Sequence, residues 1–208
     1  MNGFSVEWMK RVSRENKIIL TGSLMIKEND SCFNRLIWMM PNGSMGYYDK
    51  RHLFGYGDED KYFKSGNQRL IASVNGWKIN LQICYDLRFP VWARQQSQNI
   101  DEQFTPEYDI LIYVANWPER RSHAWKTLLC ARAMENQCYV VGVNRVGKDG
   151  NGIHHSGDSM IIDPLGEVFY HMSDTEDIFT ISLRNEDLNE KRNHFPFLKD
   201  GDYFKIDL

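Results

Sequence analysis

Cys84 closes the alternating run Trp77 to Cys84 and opens a polar turn, Tyr85-Asp86-Leu87-Arg88-Phe89-Pro90. A thiol in that position can act as a nucleophile, because reactive side chains gather at the strand ends of layered α/β sheets. It fits equally as a small buried hydrophobe, and spacing alone does not choose between the two. Lys50 stands in Tyr47-Tyr48-Asp49-Lys50-Arg51-His52-Leu53-Phe54, where a charged triplet interrupts aromatic and apolar neighbours. An ammonium beside a thiol stabilises a thiolate or an oxyanion, whereas a Lys-Arg-His run taken by itself reads as a solvated face. Glu59, between Asp58 and Asp60, is either part of a solvated acidic loop or an acid that orients Lys50. Arg88 either pairs with Asp86 inside the turn, the expectation favoured here, or reaches a substrate carboxylate with its planar fork. A Cys-His pair would have to use His52 or His123, and this reading ranks last. A nucleophile elbow would set glycine on both sides of the thiol, where Ile83 and Tyr85 stand instead.

Elements that could position these residues follow from periodicity. Ser5 to Lys17 carries Val6, Met9 and Val12 at three-residue steps, with Ser5 available as N-cap, and predicts an amphipathic helix. Ile18–Lys27 and Arg35–Met40 predict strands of a small meander, with Pro41-Asn42-Gly43 as a turn before Tyr47-Tyr48. Leu70–Val74 and Trp77–Cys84 form a strand pair around Asn75-Gly76. The second strand sets Trp77, Ile79, Leu81 and Ile83 on one face and Lys78, Asn80, Gln82 and Cys84 on the other. Tyr108–Ala115 is a nearly continuous apolar strand that runs up to Asn116 and Trp117. A helix over His123–Gln137 and a strand over Tyr139–Val146 complete a β-α-β unit. Met160–Asp163 and Glu167–His171 flank a Pro164-Leu165-Gly166 turn, Ile178–Leu183 adds a last strand, and Asn185–His194 reads as a polar helix. Arg132 and Glu135 in the long helix predict an ion pair, and His154-His155 a loop pair whose rings point apart. The order implies one α/β layered domain without linker or repeat.

Composition removes other classes. The chain has 208 residues, 42% hydrophobic and 13% aromatic, enough to bury a substantial core, and its net charge of -3 from 25 basic and 28 acidic residues gives no footprint for nucleic acid. No apolar run has the length to span a bilayer and Met1–Lys10 lacks a signal core, so a soluble, cytoplasmic protein is expected. Cys32, Cys84, Cys130 and Cys138 form neither a disulfide framework nor a C-x-x-C zinc pattern, so reduced thiols and no metal are expected.

Four segments taken in order carry a family likeness: Tyr48-Asp49-Lys50-Arg51-His52-Leu53-Phe54, Ile83-Cys84-Tyr85-Asp86-Leu87-Arg88-Phe89-Pro90, Ala115-Asn116-Trp117-Pro118 and Ala131-Arg132-Ala133-Met134-Glu135-Asn136-Gln137. Together they resemble the nitrilase superfamily of carbon-nitrogen hydrolases, nearest its omega-amidase and 2-oxoacid-amide hydrolase branch. The likeness extends from about Ser5 to the Phe195-Pro196-Phe197 region. It implies an α-β-β-α sandwich that pairs with a second copy as a homodimer, and hydrolysis of a small carboxylated or 2-oxoacid amide to acid and ammonia without metal or cofactor. It implies that Cys84 forms the thioester, that Lys50 and the backbone N–H of Tyr85 hold the oxyanion, that Glu59 touches Lys50 and substrate, and that Asn116 and Trp117 line the pocket. It further implies a glutamate base in a Pro-Glu pair upstream of the segment matching Ser5–Lys17, where this sequence has only Met1-Asn2-Gly3-Phe4. An initial β-α-β segment is therefore expected to be absent, and residues 1–208 to form a single, N-terminally incomplete hydrolase domain. The alternative is a catalytically inactive scaffold of the same fold.

Overall fold

The computed structural model describes residues 1–96 and 105–206. Helix α1 (Phe4–Asn16) buries Val6 and Met9 of the predicted stripe against Ile26, Ile37 and Met39, but its third buried position is Ser13 and not Val12, because the face follows the 3.6-residue period. Gly3 holds the N-cap instead of Ser5, which lies inside the first turn, and the helix ends at Lys17 in left-handed conformation. Strands β1 (Leu20–Glu28), β2 (Ser31–Met39) and β3 (Met45–Asp49) make the expected antiparallel meander. The first starts two residues later than predicted, and the second starts four residues earlier because Asn29, at φ 53°, closes a tight turn that carries the ladder out to Glu28 opposite Ser31. Alternation along β2 divides its side chains: Ile37 and Met39 face α1, while Leu36 and Trp38 face a second sheet.

That second sheet is built on β4 (Leu70–Val74) and β5 (Trp77–Ile83), an antiparallel hairpin whose turn residues Asn75 and Gly76 both take positive φ. Short helices α2 (Glu59–Tyr62) and α3 (Pro90–Ala93) precede and follow this hairpin. Strands β6 (Ile110–Ala115) and β7 (Tyr139–Asn144) then add in parallel, joined through helix α4 (Ser122–Asn136). After the short β8 (Val146–Lys148) come β9 (His154–Ile162) and β10 (Val168–Ser173), which give the order β10-β9-β7-β6-β5-β4 with β8 paired to β9. Trp125, Leu129 and Ala133 of α4 pack on Leu111, Tyr113, Val140 and Ile162. A Cβ on Gly142 would stand 2.5 Å from Leu129 Cδ1, so α4 approaches β7 too closely for any other residue there. The other face of the sheet meets the meander through Ile79, Leu81, Ile83, Leu36, Trp38 and Tyr48. The layers are thus α1, the three-stranded sheet, the larger sheet and α4, which is the expected α-β-β-α sandwich.

Three local expectations change. Asn80 and Gln82, assigned to the polar face of β5, have no exposed surface, since the larger sheet is covered on both sides. Ile178–Leu183 forms no strand among the described residues; Phe179 stacks on Tyr170 and the Tyr170 hydroxyl donates to Asp177, so this apolar run is held by side chains rather than by a ladder. His154 and His155 lie on β9 and not in a loop, their side chains alternating as strand neighbours must. Helix α5 (Asn185–His194) matches its predicted span and is anchored by Arg192, which donates to Asp109, Gln137 O and Tyr108 O. No helix among the described residues is long and apolar enough to cross a membrane.

Candidate active site

The parallel strands β5 and β6 end side by side, just before Cys84 and Asn116, and a cavity of ≈ 400 Å³ opens beyond them. Lys50, Glu59, Tyr85, Arg88, Asn116 and Trp117 all border it with Cys84, so the residues singled out by sequence converge on one place. Cys84 itself does not end the strand on its polar face. It is the first residue of a 3-10 turn, Cys84–Arg88, at φ 46°, a left-handed backbone that costs a non-glycine residue about 1–2 kcal/mol. The alternation of β5 therefore stops at Ile83, and the turn redirects the thiol. Tyr85 N–H sits in the opening turn of this helix, where no helical carbonyl is available to it.

Asp86 holds that turn. Its carboxylate has no exposed surface and accepts from Tyr48 Oη at 2.7 Å, Ile83 N at 3.0 Å and His52 N at 2.9 Å, with His52 Nδ1 at 2.8 Å. Trp92 Nε1 and Arg51 N in turn donate to the Tyr48 hydroxyl. The aromatic and charged wording around Lys50 is thus a clamp reaching from β3 to the Cys84 turn. Because both Asp86 oxygens are occupied, the favoured Asp86–Arg88 pairing is not formed; the Arg88 guanidinium lies over the Trp117 ring, 4.9 Å from its centroid.

Lys50, 3% exposed, is anything but a solvated face: Nζ meets Glu59 Oε2 at 2.5 Å. Glu59 also accepts from Phe54 N at 2.7 Å and Asn34 Nδ2 at 3.0 Å. Burial works against its charge, but Lys50 and these donors prevail and hold the carboxyl below its ordinary pKa. The Cys84 thiol is pushed up by desolvation, with the Lys50 charge opposing and the Glu59 and Asp86 charges adding to the rise. Its hydrogen-bond partner is Asn116 O at 4.0 Å. Among the described residues no carboxylate or imidazole is bonded to Sγ. His52 is engaged by Asp86 and stacks on Phe89 at 3.8 Å, and His123 is exposed on α4, so neither forms the Cys-His pair.

Sequence reasoning missed several neighbours. Arg120, Arg121, Tyr56, Asn34, Asp149 and His155 also line the cavity, and the Arg120-Arg121 doublet, one residue beyond the Trp117-Pro118 motif, was the available signal. It also passed over two Pro-Glu pairs: Glu107 is bonded to Arg69 and Gln96 N, and exposed Glu119 stands 3.9 Å from His154, so neither serves the thiol. Trp117 is buried as well as cavity-lining, donating its backbone N–H to Asn144 Oδ1 and its Nε1 to Arg121 O. Arg132 and Glu135 form their expected pair at 2.9 Å, and Arg132 also donates to Leu87 O, bracing the Cys84 turn from α4. Burial pushes the Cys138 thiol well up, and it lies away from the cavity. No group of three or more His, Cys, Asp or Glu side chains among the described residues is placed to hold a metal ion.

Comparison with known proteins places this geometry in context. The carbon-nitrogen hydrolase family matches residues 1–193. The omega-amidase YafV of Escherichia coli is 42% identical over 203 residues, which is 97% of this chain and 75% of that protein. The 2-oxoglutaramate amidase of Bacillus subtilis is 32% identical over 195 residues, 93% of this chain and 72% of the relative. Among solved structures, a CN-hydrolase superfamily protein from Xanthomonas campestris, described with an arsenic adduct in its active site, superposes with a TM-score of 0.96 at 42% identity, covering 100% of this chain and 78% of its own.

Proposed function

The chain belongs to the carbon-nitrogen hydrolase family, and from that premise we propose that it hydrolyses a small amide carrying a carboxylate, of the 2-oxoacid-amide kind, to the acid and ammonia. The observation that carries this reading is the meeting of Cys84, the Lys50–Glu59 pair and Tyr85 at one cavity. In this mechanism Cys84 Sγ attacks the amide carbon and the carbonyl π electrons move to oxygen. Lys50 Nζ and Tyr85 N–H hold that oxyanion, which supplies the electrostatic stabilisation acyl transfer requires. Collapse breaks the C–N bond, ammonia leaves with a proton, and water then attacks the thioester to release the carboxylic acid and the thiol.

The raised thiol pKa supports the need for a base in the first step. Glu59 is spent on Lys50, Phe54 N and Asn34, and its charge disfavours the thiolate; it positions the ammonium and does not accept the Cys84 proton. The base therefore lies outside the groups that the described residues set beside Sγ. That observation favours a second reading, a chain of this fold that binds its ligand without turnover. Association as a homodimer, in a cytoplasmic setting, completes the proposal; Val143, Ile178 and Phe179 beside a groove of ≈ 730 Å³ supply apolar surface for it, and light scattering tests it.

Ammonia release from 2-oxoglutaramate decides between the two readings. Turnover that drops by at least about 10³-fold in Cys84→Ala establishes the hydrolase. No turnover by the parent chain, with retained ligand binding, establishes the scaffold.

A further inference from the structure

Arg14, Arg88, Arg120 and Arg121 are the arginines whose guanidinium has no hydrogen bond or ion pair among the described residues, and the last three line the Cys84 cavity. Elsewhere buried arginines are paired with acids: Arg35 holds Asp49, Arg132 holds Glu135 and Arg192 holds Asp109, and half-buried Arg69 holds Glu107. Two acids border the cavity, and of these only Asp149 has no cation bonded to it among the described residues. Glu59 holds Lys50, and Asp149 Oδ1 accepts from Asn151 N and Ile153 N. What remains is an arc of three guanidinium charges around the thiol, opposed on the lining by Asp149 alone.

Two of these side chains are placed by rigid platforms. Arg121 lies over the Phe54 ring at 5.1 Å, and Phe54 is itself fixed by its backbone bond to Glu59 and by edge contact with Tyr85 at 4.9 Å. Arg88 lies over Trp117, which is buried against Trp125 at 5.5 Å. A ring face steadies a guanidinium while leaving its N–H edges free for the bidentate geometry that matches a carboxylate. Arg121 is partly buried, and its affinity for its proton is lowered by desolvation and by the charges of Arg120 and Arg88, so the three repel one another until an anion arrives.

We infer that Arg121 and Arg88 form the carboxylate-binding end of the Cys84 cavity, so that the site selects ω-amides bearing a free carboxylate and rejects those that also bear an α-ammonium. The rejection follows from the same charges: an ammonium near that carboxylate would face three guanidinia, with Asp149 the one lining acid not already bonded to a cation. The inference rests on the amide-hydrolase reading for its choice of ligand, but its test does not depend on turnover.

Calorimetric titration of the full chain as Cys84→Ala uses three probes of similar length: glutaramate, which has a carboxylate; butyramide, which is neutral; and glutamine, which adds the α-ammonium. Glutaramate is expected to bind at least about tenfold more tightly than either of the others. Adding Arg121→Gln or Arg88→Gln brings the three affinities together, while Arg121→Lys restores part of the preference, because it returns charge without the fork. Thermal melting verifies that each variant is folded, and Arg88, at the exposed rim, provides the second variant if Arg121→Gln is not. Equal affinities in the parent, or a glutaramate preference within twofold of the parent in both glutamine variants, overturns the inference. Absence of Cys84-dependent ammonia release sinks the hydrolase reading and leaves this binding result standing.

Discussion

Beneath Cys84 lies a polar group with every bond made, and above it lie polar groups with almost none. Asp86 is fully buried and engages Tyr48, Ile83 and both the backbone and ring of His52. Arg88, Arg120 and Arg121, which line the cavity that the thiol borders, meet only ring faces or solvent. The two regions do different jobs with the same physics. Burying a carboxylate is tolerable only when its lone pairs are met, and once met they fix the backbone, here including the strained φ of Cys84. Groups left unmet in a cavity add little to stability and keep their interaction energy for a ligand.

The largest test of this contrast removes the satisfied member. Asp86→Ala leaves the Tyr48 hydroxyl and the amides of Ile83 and His52 without their acceptor in a buried site, and is expected to cost about 3–5 kcal/mol. Chemical denaturation measures it. A loss below about 1 kcal/mol would mean that water or a rearranged turn replaces the carboxylate with ease, and that Asp86 does not set the Cys84 conformation.

How legible each region was in the sequence follows from the same difference. The periodicity of Val6 and Met9, the alternation of β2 and β5 and the Asn75-Gly76 turn gave the layers, because burial imposes those repeats locally. The Cys84, Lys50 and Glu59 grouping was legible through motif wording, not through spacing, since spacing left Lys50 as a solvated residue. Asp86 was visible as a residue but not as a hub: its partners come from positions 34 and 38 residues earlier in the chain, a separation no local pattern reports. Arg121 escaped for the opposite reason, since an unpaired arginine in sequence looks like any surface charge until a cavity surrounds it. Ile178–Leu183 misled because an apolar run states a preference for burial and not the presence of a neighbouring strand.

Between the two regions stands Lys50, buried and bonded to Glu59 with its charge felt at the thiol, and its removal has an intermediate effect. Its charge opposes the desolvation that raises the Cys84 pKa, so Lys50→Met moves the thiol further up and leaves less thiolate at any pH below that value. Loss of an opposite charge at close range typically shifts a pKa by about one unit or more, so alkylation of Cys84 by iodoacetamide at pH 7.5, a pH of ~7.5 being below the raised value, should slow about tenfold. Peptide mapping separates Cys84 from Cys32 and Cys130. Glu59→Gln should act with the opposite sign on the thiol, because the Glu59 charge adds to the rise. A Lys50→Met protein that reacts as fast as the parent would show that Lys50 does not govern the thiol.

The smallest effect belongs to the rim. Arg120 is exposed, has no ion pair or hydrogen bond among the described residues and sits beside two like charges. Replacing it with glutamine removes repulsion and no attraction, so Arg120→Gln should leave stability within about 0.5 kcal/mol of the parent, on the side of a slight gain. Added salt should shrink even that gain, because screening already relieves the repulsion in the parent. Melting curves at low and high ionic strength read both quantities. A destabilisation beyond about 1 kcal/mol, or a gain that persists in high salt, would make Arg120 a packing residue, and the rim would then belong with the satisfied polar groups below the thiol.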